Sequence, residues 1–256
     1  MLILLPPSEG KTAPASGPSL DFSQLRYPQF NSLREKIAAE LIEISSRPDA
    51  HEILRAGAAA SDTIYAQRNL DQLPCAPARE VYTGVLFAAL GLAQAEADLL
   101  DFAANKIIIF SGLFGVLSPS DLIPAYRLSM GTKLPKLGNN KKLWQRELRD
   151  FDLGENQLVI DCRSGNYQVW DPPKSADWVS VHAVREIAGK RKTVSHYAKH
   201  YRGVLSHELV QTRTNLTDGE QLAQFALTHA LQDEVADVEL APSTVKGPRK
   251  LTLVLN

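Results

Sequence analysis

Residues 106–131 read KIIIFSGLFGVLSPSDLIPAYRLSMG. The first part, 107–110, is a short, unbroken apolar run rich in β-branched residues and closed by Ser111 and Gly112. It reads as a strand buried on both faces, as parallel strands of α/β sheets are. Ligands of open α/β sheets sit outside the carboxyl ends of strands. The loop holding Ser111, Gly112 and Gly115 is therefore a candidate edge of a site. Its glycines would let backbone approach a ligand or another strand closely. Pro119 and Pro124 forbid one long helix beyond it, so a punctuated path delivers Tyr126 and Arg127. A tight structural turn with a surface arginine is the plain alternative.

Working outward, the 256 residues are 44% hydrophobic, enough for one large domain or two small ones. Charges nearly cancel, 28 Lys+Arg against 29 Asp+Glu, so any anion site must be a local patch. The opening apolar run halts at Pro6 and Pro7 and lacks a basic start. No apolar stretch is long enough to span a membrane, so a soluble cytoplasmic protein with no membrane partner is expected. Cys75 and Cys162 form neither a disulfide framework nor a Cys-x-x-Cys site. Cys162 precedes Arg163 and reads as a structural thiol.

Residues 2–5 read as a first strand that runs into Ser8, Glu9, Gly10, Lys11 and Thr12. A phosphate loop is excluded, because its first glycine is replaced by Leu5. Ser8 and Lys11 stay candidates for anion contact. Residues 13–30 form a Pro/Ser/Gly-rich connector. A helix is expected over 31–45, with Leu33, Ile37, Leu41 and Ile44 on one face. Segment 48–70 reads as a helix-turn-helix around Gly57, compatible with a phosphate-gripping hairpin though without paired glycines. An Ala/Leu-rich helix is expected from 85 to about 100, and an amphipathic one over 140–151. Residues 157–161 give another buried strand, emptying into a polar loop with Cys162, Arg163, Gly165 and Tyr167. Further strands are expected at 178–181, 192–195, 234–240 and 250–255. No repeat and no domain boundary is visible. The expectation is one α/β unit, 1–256, with a single mixed sheet and surrounding helices.

One stretch is concentrated in positive charge: Lys190, Arg191, Lys192, Lys199 and Arg202, with His196 and His200. From 196 the period is helical. Tyr197, Tyr201, Val204, Leu205 and Leu209 share one side; His196, Lys199, His200 and Gly203 share the other. Cations gathered on a face suit a phosphate backbone or a small polyanion, and a solvated basic face is the plain alternative. His196 and His200 lie four apart, but no His-Glu-x-x-His or helpful carboxylate accompanies them, so no metal is expected. No Gly-x-Ser-x-Gly elbow or Rossmann glycine fingerprint occurs, and no cofactor is expected.

Several motifs together carry a resemblance: Val81-Tyr82-Thr83-Gly84, residues 111–117, residues 124–131, and His196-Tyr197-Ala198-Lys199-His200-Tyr201-Arg202-Gly203, with Pro6-Pro7-Ser8-Glu9-Gly10-Lys11 at the start. In that order they resemble the YaaA family of peroxide stress response proteins. The resemblance implies a cytoplasmic bacterial protein with the family's own mixed α/β fold. It also implies DNA binding in a positively charged cleft, a helix-hairpin-helix, and a role in limiting damage when iron and peroxide meet.

Two functions follow. One is a DNA-binding stress protein that holds phosphates weakly, without sequence preference and in a salt-sensitive way, through Lys11, Arg127, Arg163, Lys190, Arg191, Lys192, Lys199 and Arg202. The other is an enzyme acting on a nucleotide, nucleobase or other small anion. There Arg127 and Arg163 would clamp the anion, among the polar groups Ser8, Tyr82, Ser111, Tyr126, Tyr167 and His196.

Overall fold

The computed structural model describes residues 1–154, 157–187, 190–193, 195–231, 234–243 and 247–255, with the side chains of 187, 190, 193, 195 and 196 outside that description. Among the described residues eight strands share one sheet: β1 (Leu2–Leu5), β2 (Ile107–Ser111), β3 (Gly115–Leu117), β4 (Leu158–Asp161), β5 (Asp177–Ile187), β6 (Lys190–Thr193), β7 (Val235–Leu240) and β8 (Arg249–Leu255). Nine α-helices accompany them: α1 (Asn31–Ser45), α2 (Ala50–Ile53), α3 (Ser61–Ala66), α4 (Ala78–Val81), α5 (Val85–Leu90), α6 (Ala97–Lys106), α7 (Asn140–Glu147), α8 (Ser195–Gln211) and α9 (Gly219–Phe225).

Apolar runs with no alternation need cover on both faces, and β1, β2 and β4 are buried along their whole length. β1 lies between β2 and β4, parallel to both, with Ile3 opposite Ile107 and Ile160. β4 pairs in parallel with β5, and β5 with β8. Along the sheet the five parallel strands run β2-β1-β4-β5-β8, the 2-1-3-4-5 order of a doubly wound fold. Antiparallel strands finish the sheet: β3 beside β2, β7 beside β8, and β6 hairpinned onto β5. The mixed α/β architecture expected from the apolar runs is what forms, as one unit.

Some element boundaries differ from expectation. The helix expected over 85–100 breaks at Gly91, whose φ of 67° ends α5. The helix from 140 stops at Glu147. The short strand expected at 178–181 is the start of an eleven-residue one. Segment 48–70 does hold two short helices, α2 and α3, flanking a turn. Arg55, with φ 49°, takes the left-handed position there, while Gly57 sits at φ −75°.

Three buried polar side chains lock the irregular parts. Arg34 donates to the carbonyls of Phe114 (2.9 Å) and Val116 (2.8 Å), tying α1 to the β2–β3 hairpin. Asp121 accepts from the backbone N–H of Arg26 and of Ser118, both at 2.8 Å. Glu40 accepts from the N–H groups of Lys136 and Leu137. Arg34 and Asp121 thereby pair buried backbone groups, among them the Val116 carbonyl and the Ser118 N–H. Among the described residues no helix is long and apolar enough to cross a membrane.

Candidate functional site

In a 2-1-3-4-5 sheet the chain reverses its direction of travel between the first and third parallel strands, here β1 and β4. In such sheets ligands sit at this switch point, outside the carboxyl ends of the strands. Residues 6–12 leave β1 and residues 162–167 leave β4, with the Cys162 N–H donating to the Leu4 carbonyl (2.9 Å). The β1 loop is stitched to a second segment: Lys11 bridges Tyr82, Thr12 N–H donates to Val81 (2.9 Å) and Thr83 N–H to Gly10 (3.2 Å). Gly84 lies so close that a Cβ there would stand 2.9 Å from Ser8 Oγ. This path brings Ser8, Glu9, Lys11 and Tyr82 together.

The Lys11 amine donates to the Ser8 carbonyl at 2.8 Å and lies 4.3 Å from the ring centroid of Tyr126 and 5.5 Å from that of Tyr82. Among the described residues it makes no ion pair. Loss of hydration against the tyrosine rings brings its pKa down to about 7; Glu9 opposes that fall and Arg127 adds to it. The two tyrosine hydroxyls are 2.8 Å apart, and Tyr126 is 2.7 Å from Ser111 Oγ. Ser111 Oγ also accepts from the N–H groups of Leu113 (3.2 Å) and Phe114 (3.0 Å). Burial raises the pKa of both tyrosines, so their hydroxyls are neutral donors at physiological pH.

Glu9 is the member of the cleft that the sequence reading leaves out. Its exposed carboxylate takes the Arg127 guanidinium at 2.5 Å and the Tyr167 hydroxyl at 3.3 Å. Arg127 is held from behind, its N–H donating to Gln67 Oε1 (2.9 Å), and Gln67 is itself fully buried. Tyr167 rises to a pKa of about 12 through burial, and Glu9 adds to the rise. The available signal was position: an acidic residue between Ser8 and Lys11 in the loop that leaves β1.

Arg163 does not join this group. Its side chain is wholly buried, with Nε and Nη2 donating to the two carboxylate oxygens of Asp161 at 2.9 and 2.8 Å. Its guanidinium also lies 4.4 Å from the Phe110 ring centroid. An arginine so placed braces the floor between β2 and β4 and presents no surface to a phosphate. Gly112 and Gly115 likewise serve packing. A Cβ on Gly115 would lie 2.2 Å from the Trp144 ring, and one on Gly112 would lie 2.6 Å from the Leu128 carbonyl. Asn140 Nδ2 and Trp144 Nε1 both donate to the Gly112 carbonyl, at 2.8 and 3.0 Å. Cys162 is buried and free, its pKa pushed up to about 12 by that burial.

The basic stretch divides. β5 pairs with β4 only as far as Ser180, so residues 181–187 run past the end of β4 by roughly 23 Å, still paired with β8 as far as Arg185. β6 folds back on that stretch, and α8 starts just beyond it. Lys192 and Lys199 are exposed, with no ion pair among the described residues. Arg191 is engaged twice, with Glu186 (3.0 Å) and Glu239 (2.6 Å), which raises its pKa. Arg202 donates to the Val181 carbonyl at 2.8 Å. The side chains of Lys190 and His196 lie outside the described residues.

The helix faces also differ from expectation. Tyr197 is 44% exposed, with Arg185 5.0 Å from its ring centroid, whereas Gly203 is an inward contact. A Cβ on Gly203 would meet the Leu86 carbonyl at 2.4 Å. α8 packs on both β5 and α5, so its polar strip is narrower than a one-sided helix would show. Since Gly203 touches Leu86 and Gly91 touches His207, the two helices run side by side in the same direction. Lys199, one turn before Gly203, thus stands level with the start of α5, where Gly84 meets Ser8.

The parallel strand order and the helices around the mixed sheet define an α/β protein of the doubly wound class, with Lys11, Tyr82 and Tyr126 gathered where the loop leaves β1. The chain belongs to the family described as peroxide stress protein YaaA, whose family model matches residues 1–231. It is similar to a UPF0246 protein of Corynebacterium glutamicum, 39% identical over 232 residues that cover 88% of this chain and 91% of the relative. A UPF0246 protein of Streptomyces coelicolor is 35% identical over 258 residues, 99% of this chain and 97% of that one. A shorter match, to a UPF0246 protein of Francisella tularensis subsp. novicida, is 34% identical over 137 residues, 48% of this chain and 54% of the relative.

Proposed function

We propose that this peroxide stress family member binds DNA along the carboxyl edge of its sheet and limits iron-dependent oxidative damage to it. The supporting observation is the end of β5 that runs past β4 with β6 folded back on it, together with Lys192 and Lys199, which are exposed and make no ion pair among the described residues. Arg191, by contrast, is shared between the carboxylates of Glu186 and Glu239. A grip built from a few lysines neutralises a few phosphates and reads no bases, so it is weak and indifferent to sequence.

The test is fluorescence anisotropy on unrelated duplexes between 50 and 200 mM salt. With two to four phosphate contacts, log K should fall against log salt with a slope of about −2 to −4. Lys192→Ala with Lys199→Ala should flatten that slope by about two and weaken every duplex alike. A slope near zero in the parent overturns the reading. Plasmid nicking by iron and peroxide, with and without the protein, tests the protective role.

A second reading, an enzyme acting on a small anionic substrate in the cleft, is favoured by one observation. The Lys11 amine is near neutrality beside Glu9 and Arg127. Turnover lost in Arg127→Ala while duplex affinity stays unchanged would support it.

A further inference from the structure

We propose that Lys11 is a nucleophile which condenses with the aldehyde of a ring-opened abasic deoxyribose in DNA, so that the cleft captures damaged sugars. This rests on the DNA-binding reading above.

The geometry singles out this amine. Lys11 is partly enclosed, has tyrosine rings on one side, and among the described residues donates only to a backbone carbonyl. Glu9, the nearby carboxylate, is committed to Arg127 and Tyr167 and does not pair with it. The groups facing the amine are Glu9, Arg127, Tyr82 and Tyr126, with Tyr167 behind Glu9. The tyrosines stay neutral, and the two charged residues offset one another. Desolvation then leaves a substantial share of the amine unprotonated near pH 7.

A neutral amine needs a carbon electrophile. Intact DNA offers none that condenses readily, because its phosphates are anionic and its base carbonyls are amide-like. Loss of a base lets the sugar ring open to an aldehyde, and peroxide with iron produces such lesions. The Nζ lone pair forms a bond to C1′, and the carbonyl oxygen takes one proton from the amine and one from solvent and leaves as water. An iminium joins Lys11 to the sugar. The mouth suits a nucleic acid: Lys199 stands level with the start of α5, where Gly84 meets Ser8, and can hold a flanking phosphate. The Lys11–Tyr82 bridge and the close contact of Gly84 with Ser8 fix the loop, as a nucleophile requires.

The test traps the iminium with cyanoborohydride. The full chain is incubated with a duplex carrying one abasic site, with the same duplex carrying a tetrahydrofuran analogue, and with free deoxyribose 5-phosphate. Expected is a covalent adduct with the abasic duplex alone, mapped to the peptide containing Lys11, increasing from pH 6 to 8. Lys11→Arg and Lys11→Gln should both lose the adduct. An adduct mapped to Met1 or another lysine overturns the proposal. So does one that persists in both variants, one formed only with the free sugar phosphate, or duplex binding with no adduct. Should a variant fail to fold, the mapped site in the parent decides. Undamaged-duplex binding is measured separately, so failure of the DNA reading is recognised by itself; with no binding and no adduct, both fall.

Discussion

The Lys11 amine lies 4.3 Å from the centroid of the Tyr126 ring, although the two residues belong to loops that leave different strands. A cation gains from the face of an aromatic ring, yet the same ring displaces the water that stabilises its charge. At Lys11 the loss of that water brings the pKa down to about 7.

Lys11 should therefore react at neutral pH with amine-directed acylating reagents. Its rate should climb about tenfold per pH unit below 7 and level off above it, because only the neutral amine reacts. Stability carries the same signature. The unfolded lysine titrates near 10.4, so between about 7 and ~10.4 the unfolded chain binds more protons and stability rises with pH. Lys11→Met should remove that rise. Melting curves from pH 6 to 10 check it, and parallel pH profiles in parent and variant would contradict it.

Tyr126→Phe should leave the Tyr82 hydroxyl without its 2.8 Å neighbour in a fully buried position. The expected loss is about 1–3 kcal/mol in denaturant unfolding. Ser111→Ala should cost a similar amount by another route, since the Leu113 and Phe114 N–H groups lose their acceptor. A Tyr126→Phe variant as stable as the parent would show that the hydroxyl chain contributes nothing net.

How much of this was legible from residues alone depended on whether the signal was local. The buried strands were: the runs read at 2–5, 107–110 and 157–161 form strands within a residue of those bounds. The polar residues of the strand-end loops could be named from the sequence, and the contacts that join Ser8, Lys11, Tyr82, Tyr126 and Ser111 are tertiary. Arg163 was not legible, because its partner two residues away turned it into a buried brace. Nor were Tyr197 and Gly203, whose exposure was decided by α5 lying along α8, a contact between segments over a hundred residues apart. Arg34, Glu40 and Asp121 gave no periodic signal, since each serves backbone groups distant in sequence.

Gly84→Ala probes the coupling of the loops. Gly84 has a φ of 106°, which side-chain-bearing residues rarely adopt, and the new methyl would stand 2.9 Å from Ser8 Oγ. The strain should cost on the order of 1–3 kcal/mol. Any relief would displace the Ser8 loop and with it Lys11. The fast acylation of Lys11 should slow in the variant, and an unchanged rate would uncouple α5 from the cleft.

Asp161 and Arg163 should show the asymmetry of a buried ion pair. Both side chains are fully buried, and Asp161 Oδ2 also accepts from Trp178 Nε1 at 3.1 Å. Removing one partner leaves a charge in the floor of the sheet, so Arg163→Met and Asp161→Asn should each cost about 3–5 kcal/mol. Replacing both, Asp161→Leu with Arg163→Met, removes the two desolvation costs together and should recover much of the loss. The Arg163 Nη1 atom has no described hydrogen-bond partner, which makes the pair less than fully satisfied and favours that recovery. Arg163 is held away from the cleft surface, so duplex affinity per folded molecule should be unchanged in the double variant. Urea unfolding and anisotropy on the same samples separate the two effects. Lost affinity in a fully folded double variant would return Arg163 to the DNA contact surface.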